Sequence, residues 1–100
     1  MPPSSADHYV YIVQCADDSY YTGYTTDPVR RLAEHNAGEG ARYTRGRTPV
    51  DPVYLETFAS KAAAMRREYA IKQLRRGQKE QLIDDTALNW PGGGSSATQS

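Results

Sequence analysis

The sequence predicts a small mixed α/β domain built from a tyrosine-rich β-hairpin, one further strand and two capped helices. Three observations carry this. Stretches rich in β-branched and aromatic residues stand at Tyr9–Cys15 (YVYIVQC), Tyr20–Tyr24 (YYTGY) and Val53–Phe58 (VYLETF). Helix start signals, Asp27-Pro28 and Ser60, each precede residues at helical spacing. A length of 100 residues allows one domain at most.

The first two strands form the hairpin, and its register follows from the turn. A two-residue loop at Asp17-Asp18 puts Cys15 opposite Tyr20 and sends Tyr11 and Tyr21 to opposite faces. A three-residue loop, Ala16-Asp17-Asp18, puts Cys15 opposite Ser19, Val13 opposite Tyr21 and Tyr11 opposite Gly23. Tyr9, Tyr11 and Tyr21 then share one face. That loop is a type I turn followed by a left-handed residue, and aspartate tolerates the left-handed region better than most non-glycine residues. Asp18 can fill the position, so the three-residue loop is the expected one.

Asp27 caps the next element and Pro28 opens it, since a proline at the first helical position lacks only an N–H that would have no partner there. The helix is expected to run through VRRLAEHNA to about Gly38, with Val29, Leu32 and Ala33 as its inner stripe. Arg31 and His35, one turn apart, lie together on a different face. Gly38–Asp51 reads as a glycine- and arginine-rich loop carrying Arg42, Arg45 and Arg47. After the third strand, Ser60 caps a longer helix expected from Lys61 to about Arg76 and ended by Gly77. Ala64, Arg67, Ile71 and Leu74 form its stripe, with Glu68 on the flank, about 60° from Ile71. A short helix is expected at Lys79–Ile83. Residues 1–7 and 85–100 read as a loose N-terminus and a glycine- and serine-rich tail around a folded unit at 8–84.

Size and composition limit the function. A domain this small buries only about 60–65% of its unfolded surface, so a groove on one face is expected rather than a deep cavity. The single cysteine, Cys15, excludes an internal disulfide or a cysteine-cluster metal site and reads as core packing. MPPSSADHY has no basic region or apolar core of a signal peptide, and no apolar run approaches the ~20 residues that span a bilayer. A cytoplasmic protein without membrane attachment is expected. The net charge of 0 hides an asymmetry: all 12 Lys and Arg lie between Arg30 and Lys79, whereas only half of the 12 acids fall in Val29–Glu80. Such a basic segment suits a polyanion, or else is a solvated mixed-charge face.

The candidates for chemistry are Tyr11, Tyr21, Arg31, His35 and Glu68, on separate elements. Taken singly each has a bland reading; Glu68, for example, stands at the favourable Glu-to-Lys spacing from Lys72. Their order and spacing say more. Tyr9-Val10-Tyr11, then Tyr21-Thr22-Gly23, Arg31, His35-Asn36 and a downstream Glu68 resemble the GIY-YIG nuclease family over His8 to Ile83. The stretches YTGYTTDPVRRLAEHN, GARYTRGR and RREYAIKQLRRGQKEQLI resemble its small, single-domain YhbQ-like branch. Tyr9-Val10 replaces the Gly-Ile of the first motif, and Thr22 replaces the isoleucine of the second. No asparagine lies between Glu68 and Asn89 to match one that many members use.

The resemblance implies a three-stranded antiparallel sheet flanked by helices, and hydrolysis of DNA phosphodiesters with one divalent ion, Mg²⁺ or Mn²⁺. It makes Tyr11 and Tyr21 the two motif tyrosines, Gly23 the motif glycine, Arg31 the catalytic arginine, His35 the histidine one turn later and Glu68 the metal ligand. The residue types suit the chemistry. In-line attack by water needs a base, charge neutralisation and leaving-group stabilisation. A guanidinium can hold phosphoryl oxygens in bidentate fashion, and nearby positive charge favours a phenolate base. Either tyrosine can fill the role of base. Gly23 lets DNA or backbone approach closely, and Arg42, Arg45, Arg47 and Lys72 are candidate phosphate contacts. Two alternatives to an endonuclease of repair or recombination remain: a non-catalytic nucleic-acid-binding module, and a nuclease subunit that needs a protein partner.

Overall fold

A computed structural model of the chain describes residues 7–91. The expected loose N-terminus, apart from Asp7, and the tail from residue 92 lie outside the described residues. The element order is β1 (His8–Gln14), β2 (Tyr20–Thr25), α1 (Pro28–Asn36), β3 (Asp51–Phe58), α2 (Lys61–Lys72) and α3 (Arg76–Asp85). The strands form one antiparallel sheet in the order β2-β1-β3. The sheet and its helices are those the family resemblance implies.

The sequence of β1 explains why it lies in the middle. Val10, Tyr11, Ile12 and Val13 are each no more than 1% exposed, and a strand buried on both faces reads as a continuous apolar run. Its alternating side chains feed two cores. Val10 and Ile12 pack with Tyr54, Ala64 and Ile71, joined by Leu74, Leu82 and Ile83. Tyr11 and Val13 pack on the opposite face with Cys15, Val50 and Trp90, joined by Tyr21, Leu32 and Leu88. Helices α2 and α3 therefore cover one face, and α1 with the residues after α3 covers the other.

The hairpin has the expected three-residue loop. Tyr11 pairs with Gly23 and Val13 with Tyr21, the Cys15 N–H donates to Ser19 O at 2.8 Å, and Asp18 takes a left-handed φ of 70°. Arg76 fastens this turn to α3: its Nη1 donates to Asp18 O at 2.8 Å and its guanidinium carbon stands 4.6 Å from the Tyr20 ring centroid. The caps are also as expected, with Asp27 accepting from the Arg30 N–H and Ser60 from the Ala63 N–H.

Four expectations need correction. Strand β3 begins at Asp51, two residues before Val53. Of the expected inward face of α1 only Leu32 packs on the core: Val29 is 47% exposed and Ala33 is exposed, whereas Pro28 and His35 are buried. Hydrogen-bonded His35 takes an inward position that a hydrophobicity pattern assigns to an apolar residue. Helix α2 stops at Lys72, not near Arg76, and Gly77 lies inside α3 rather than ending α2. Arg75 turns to extended backbone, with ψ of 164°, and its N–H donates to the Gln78 side chain at 2.8 Å. This break lets α3 fold back so that Leu82 and Ile83 reach the core of Ile71. Finally, the loose tail expected from residue 85 is not loose at its start: Leu88 and Trp90 pack on the Tyr11 face of the sheet.

Candidate functional site

Tyr11 crosses the sheet toward β2. It is 1% exposed, and its ring fits only because its cross-strand partner, Gly23, has no side chain. A Cβ at Gly23 would stand 2.4 Å from the phenol oxygen. The other site residues gather around that hydroxyl. Helix α1 brings His35, whose Nε2 lies 2.8 Å from Tyr11 Oη, and Arg31, whose Nε donates to the same oxygen at 3.4 Å. Their i, i+4 spacing puts both side chains on one face of α1. Tyr21 completes the cluster, with its ring centroid 6.3 Å from that of Tyr11 and 5.4 Å from that of His35. Four of the five residues singled out from sequence are thus brought together, with Tyr11 at their centre.

The electrostatics follow from burial. Desolvation pushes the Tyr11 phenol up to about 12; the Arg31 hydrogen bond opposes this, while the charges of Tyr21 and Glu68 add to it. Desolvation, with help from the Arg31 charge, pulls His35 down to about 4. At neutral pH the pair is therefore a phenol and a neutral imidazole. The two shifts run in opposite directions, so in the free protein the proton stays on Tyr11 and His35 stays neutral.

Glu68 stands on α2, and its charge is felt at Tyr11. Its side chain is only 13% exposed and pairs with Lys72 Nζ at 3.2 Å, which is the pair expected from their spacing. The loop arginines divide. Arg47 is held by Asp17 Oδ2 at 3.0 Å, donates to Tyr43 O at 2.6 Å and lies 4.2 Å over the Tyr43 ring. Arg42 and Arg45 are exposed. Tyr43 in turn stacks on Tyr21, with centroids 5.9 Å apart and planes 24° apart.

Sequence reasoning did not single out Thr44, Gly40, Glu34 or Tyr43. Thr44 is fully buried with its Oγ1 2.7 Å from His35 Nδ1. Gly40 packs so tightly on His35 that a Cβ there would stand 2.3 Å from Nδ1. A lone threonine in an arginine-rich loop has no periodic signal. Glu34, by contrast, was visible in its spacing: it bridges Arg30 at 3.1 Å and Arg31 at 3.0 Å, four and three positions away. Those arginines, Arg31 first, hold its carboxyl below the usual range. Beside them, Tyr24, Thr25, Thr26 and Asp27 complete an open polar cleft of ≈ 310 Å³.

Together these features define a class: a small α/β domain whose sheet presents two tyrosines to an arginine and a histidine on the following helix. Residues 7–81 match the model of the GIY-YIG catalytic domain, and the chain belongs to the GIY-YIG family. It is 63% identical over 81 residues to a UPF0213 protein of Natronomonas pharaonis, covering 81% of this chain and 95% of that one. It is 59% identical over 80 residues to one of Staphylococcus haemolyticus, covering 80% and 98%. The solution NMR structure of the UPF0213 protein BH0048 from Bacillus halodurans superposes with a TM-score of 0.56 at 48% identity, covering 94% of this chain and 97% of that one. These names carry no activity, so the reaction has to be read from the site.

Proposed function

We propose that the protein is a metal-dependent DNA endonuclease that hydrolyses phosphodiester bonds, in repair or recombination. The observation that carries this reading is the convergence of His35 and Arg31 on the Tyr11 phenol oxygen, with the Tyr21 ring beside the Tyr11 and His35 rings. A binding module needs a basic surface but not a buried phenol–imidazole pair, which is costly to desolvate unless fully hydrogen-bonded.

Among the described residues no group of three or more His, Cys, Asp or Glu side chains can hold a metal together. Glu68 as the single protein ligand fits a hard cation that keeps most of its water shell. Its Oε2 faces Lys72, whose side chain is half exposed. Bound there, Mg²⁺ or Mn²⁺ supplies charge neutralisation at the phosphate and the leaving oxygen.

The protein's own groups divide the remaining work. Arg31 holds phosphoryl oxygens through its guanidinium, and the phosphate takes the place of the Glu34 carboxylate. Tyr11, neutral in the free protein, gains base character only when added positive charge lowers its pKa. His35 lies within hydrogen-bonding distance of its proton. Tyr21, half-buried beside His35, orients water or phosphate. Arg42 and Arg45, both exposed, track the phosphate backbone. A nuclease that requires a partner is the second reading, favoured by the engagement of Arg31 with Glu34 and of Glu68 with Lys72.

The test is incubation of the full chain with labelled single-stranded, duplex and branched DNA, with Mg²⁺ or Mn²⁺ and with chelator. Metal-dependent nicking that Glu68→Gln and Arg31→Ala abolish, and that Lys72→Ala retains, supports the reading. Lys72→Ala breaks the same ion pair as Glu68→Gln while keeping the carboxylate, so it separates catalysis from helix stability. DNA retention without cleavage in every condition would overturn it.

A further inference from the structure

Hydrogen-bond accounting around His35 leads to one more residue, on the reading of Tyr11 and His35 as site residues given above. Thr44 Oγ1 carries one hydrogen and donates it to Ala41 O at 3.0 Å. The His35 Nδ1 that lies 2.7 Å from the same oxygen must then be the protonated ring nitrogen. Neutral imidazole has one N–H, so Nε2 is bare and accepts the hydroxyl proton of Tyr11 at 2.8 Å. Arg31 Nε can only donate, and it points at that Tyr11 oxygen.

The opposite tautomer leaves these groups unmatched. A bare Nδ1 takes the Thr44 hydrogen, and Ala41 O keeps only the Thr44 and Arg45 N–H groups. Nε2–H and Arg31 Nε–H then fill both lone pairs of Tyr11, and its own hydrogen has no acceptor among these groups. Only one proton arrangement satisfies all four side chains, and Thr44 selects it. The loop is shaped for this contact. The Thr44 and Arg45 N–H groups both converge on Ala41 O, at 3.1 and 3.3 Å, and Gly40 has no Cβ to hold the loop off His35.

We infer that Thr44 is a positioning residue that fixes the His35 tautomer, so that the Tyr11 proton points at His35 Nε2 and one Tyr11 lone pair stays uncommitted for a water. Thr44 touches neither Tyr11 nor DNA in this role; it acts through the imidazole.

The experiment reads the tautomer directly. Full-length protein labelled with ¹⁵N-histidine is compared as wild type, Thr44→Val and Thr44→Ser; the chain has only 2 histidines, and His8→Gln assigns the second signal. Wild-type His35 at neutral pH is expected to show the Nδ1–H tautomer. Thr44→Val should admit the Nε2–H form, and Thr44→Ser should restore the original. In cleavage assays Thr44→Val should lower kcat with KM unchanged, on the order of the 10- to 100-fold lost with hydrogen-bond partners of metal-bound histidines, and Thr44→Ser should recover it. A wild-type Nε2–H signal, or a Thr44→Val protein unchanged in tautomer, overturns the assignment. If Thr44→Val does not fold, the wild-type spectrum and Thr44→Ala decide. A wild type that does not cleave strikes the nuclease reading alone, and the spectra still judge Thr44.

Discussion

The phenol of Tyr11 lies against its cross-strand partner Gly23 so closely that a Cβ on residue 23 would stand 2.4 Å from Oη and 2.6 Å from Cζ. The ring cannot simply swing away, because His35 and Arg31 hold its oxygen and the core encloses its body. Gly23→Ala should therefore break the bond to His35 and destabilise the fold by about 1–3 kcal/mol, the usual cost of overpacking. Urea unfolding measures the second effect and DNA cleavage the first. An alanine variant with unchanged stability would show that the ring has room the structure does not offer.

His35 makes stability depend on pH. Its folded-state pKa near 4 lies below the ordinary 6.5 of the unfolded chain, chiefly through burial. Between those values the unfolded chain binds a proton that the folded chain refuses. The stabilisation is full above about pH 6.5 and is lost as pH falls toward 4, by on the order of 3 kcal/mol. His35→Gln should flatten the stability curve between pH 7 and 4.5 relative to wild type. Parallel curves would count against a buried, neutral His35.

The three loop arginines should not behave alike. Arg42→Ala and Arg45→Ala should each weaken binding to every DNA sequence and reduce the salt slope by roughly 1. Arg47 is committed to Asp17 and Tyr43, so Arg47→Ala should lower stability by about 1 kcal/mol through the lost cation–π contact and ion pair. Salt titrations of DNA binding, paired with thermal melts, separate the two behaviours. Equal salt effects for all three would return Arg47 to the phosphate-tracking group.

Trp90 is the chain's only tryptophan. It is 8% exposed, and its ring meets that of Tyr11 edge-on, at 6.4 Å and 88°. Trp90→Ala should cost about 3–5 kcal/mol, as for other buried tryptophans, and truncation after Asp85 should cost at least as much. Intrinsic fluorescence reports on this one contact, so its unfolding transition should coincide with that of circular dichroism. A truncated protein of unchanged stability would remove Trp90 from the core.

How much was legible depended on the range of each interaction. The register that pairs Tyr11 with Gly23 followed from turn chemistry alone, because a left-handed Asp18 closes a three-residue loop. The caps at Asp27 and Ser60 were equally plain, since each side chain answers an N–H three residues away. The inward face of α1 was misread because periodicity counts His35 as polar, and only its bonds to Tyr11 and Thr44 make it a core residue. The end of α2 was misread for a related reason. The stripe continues smoothly into Leu74, and the break at Arg75 is set by where Leu82 and Ile83 must pack.

The sequence by itself therefore determined that there are three strands, the hairpin register, the starts of α1 and α2 and, through its ordered motifs, the family. Those properties rest on contacts within a few residues, where local sterics and hydrogen bonding leave few choices. Tertiary structure alone decided that Tyr11, His35 and Thr44 form one hydrogen-bonded chain and that Trp90 closes the core behind Tyr11. Such contacts join distant segments, and their energetics follow from which polar groups are removed from water together.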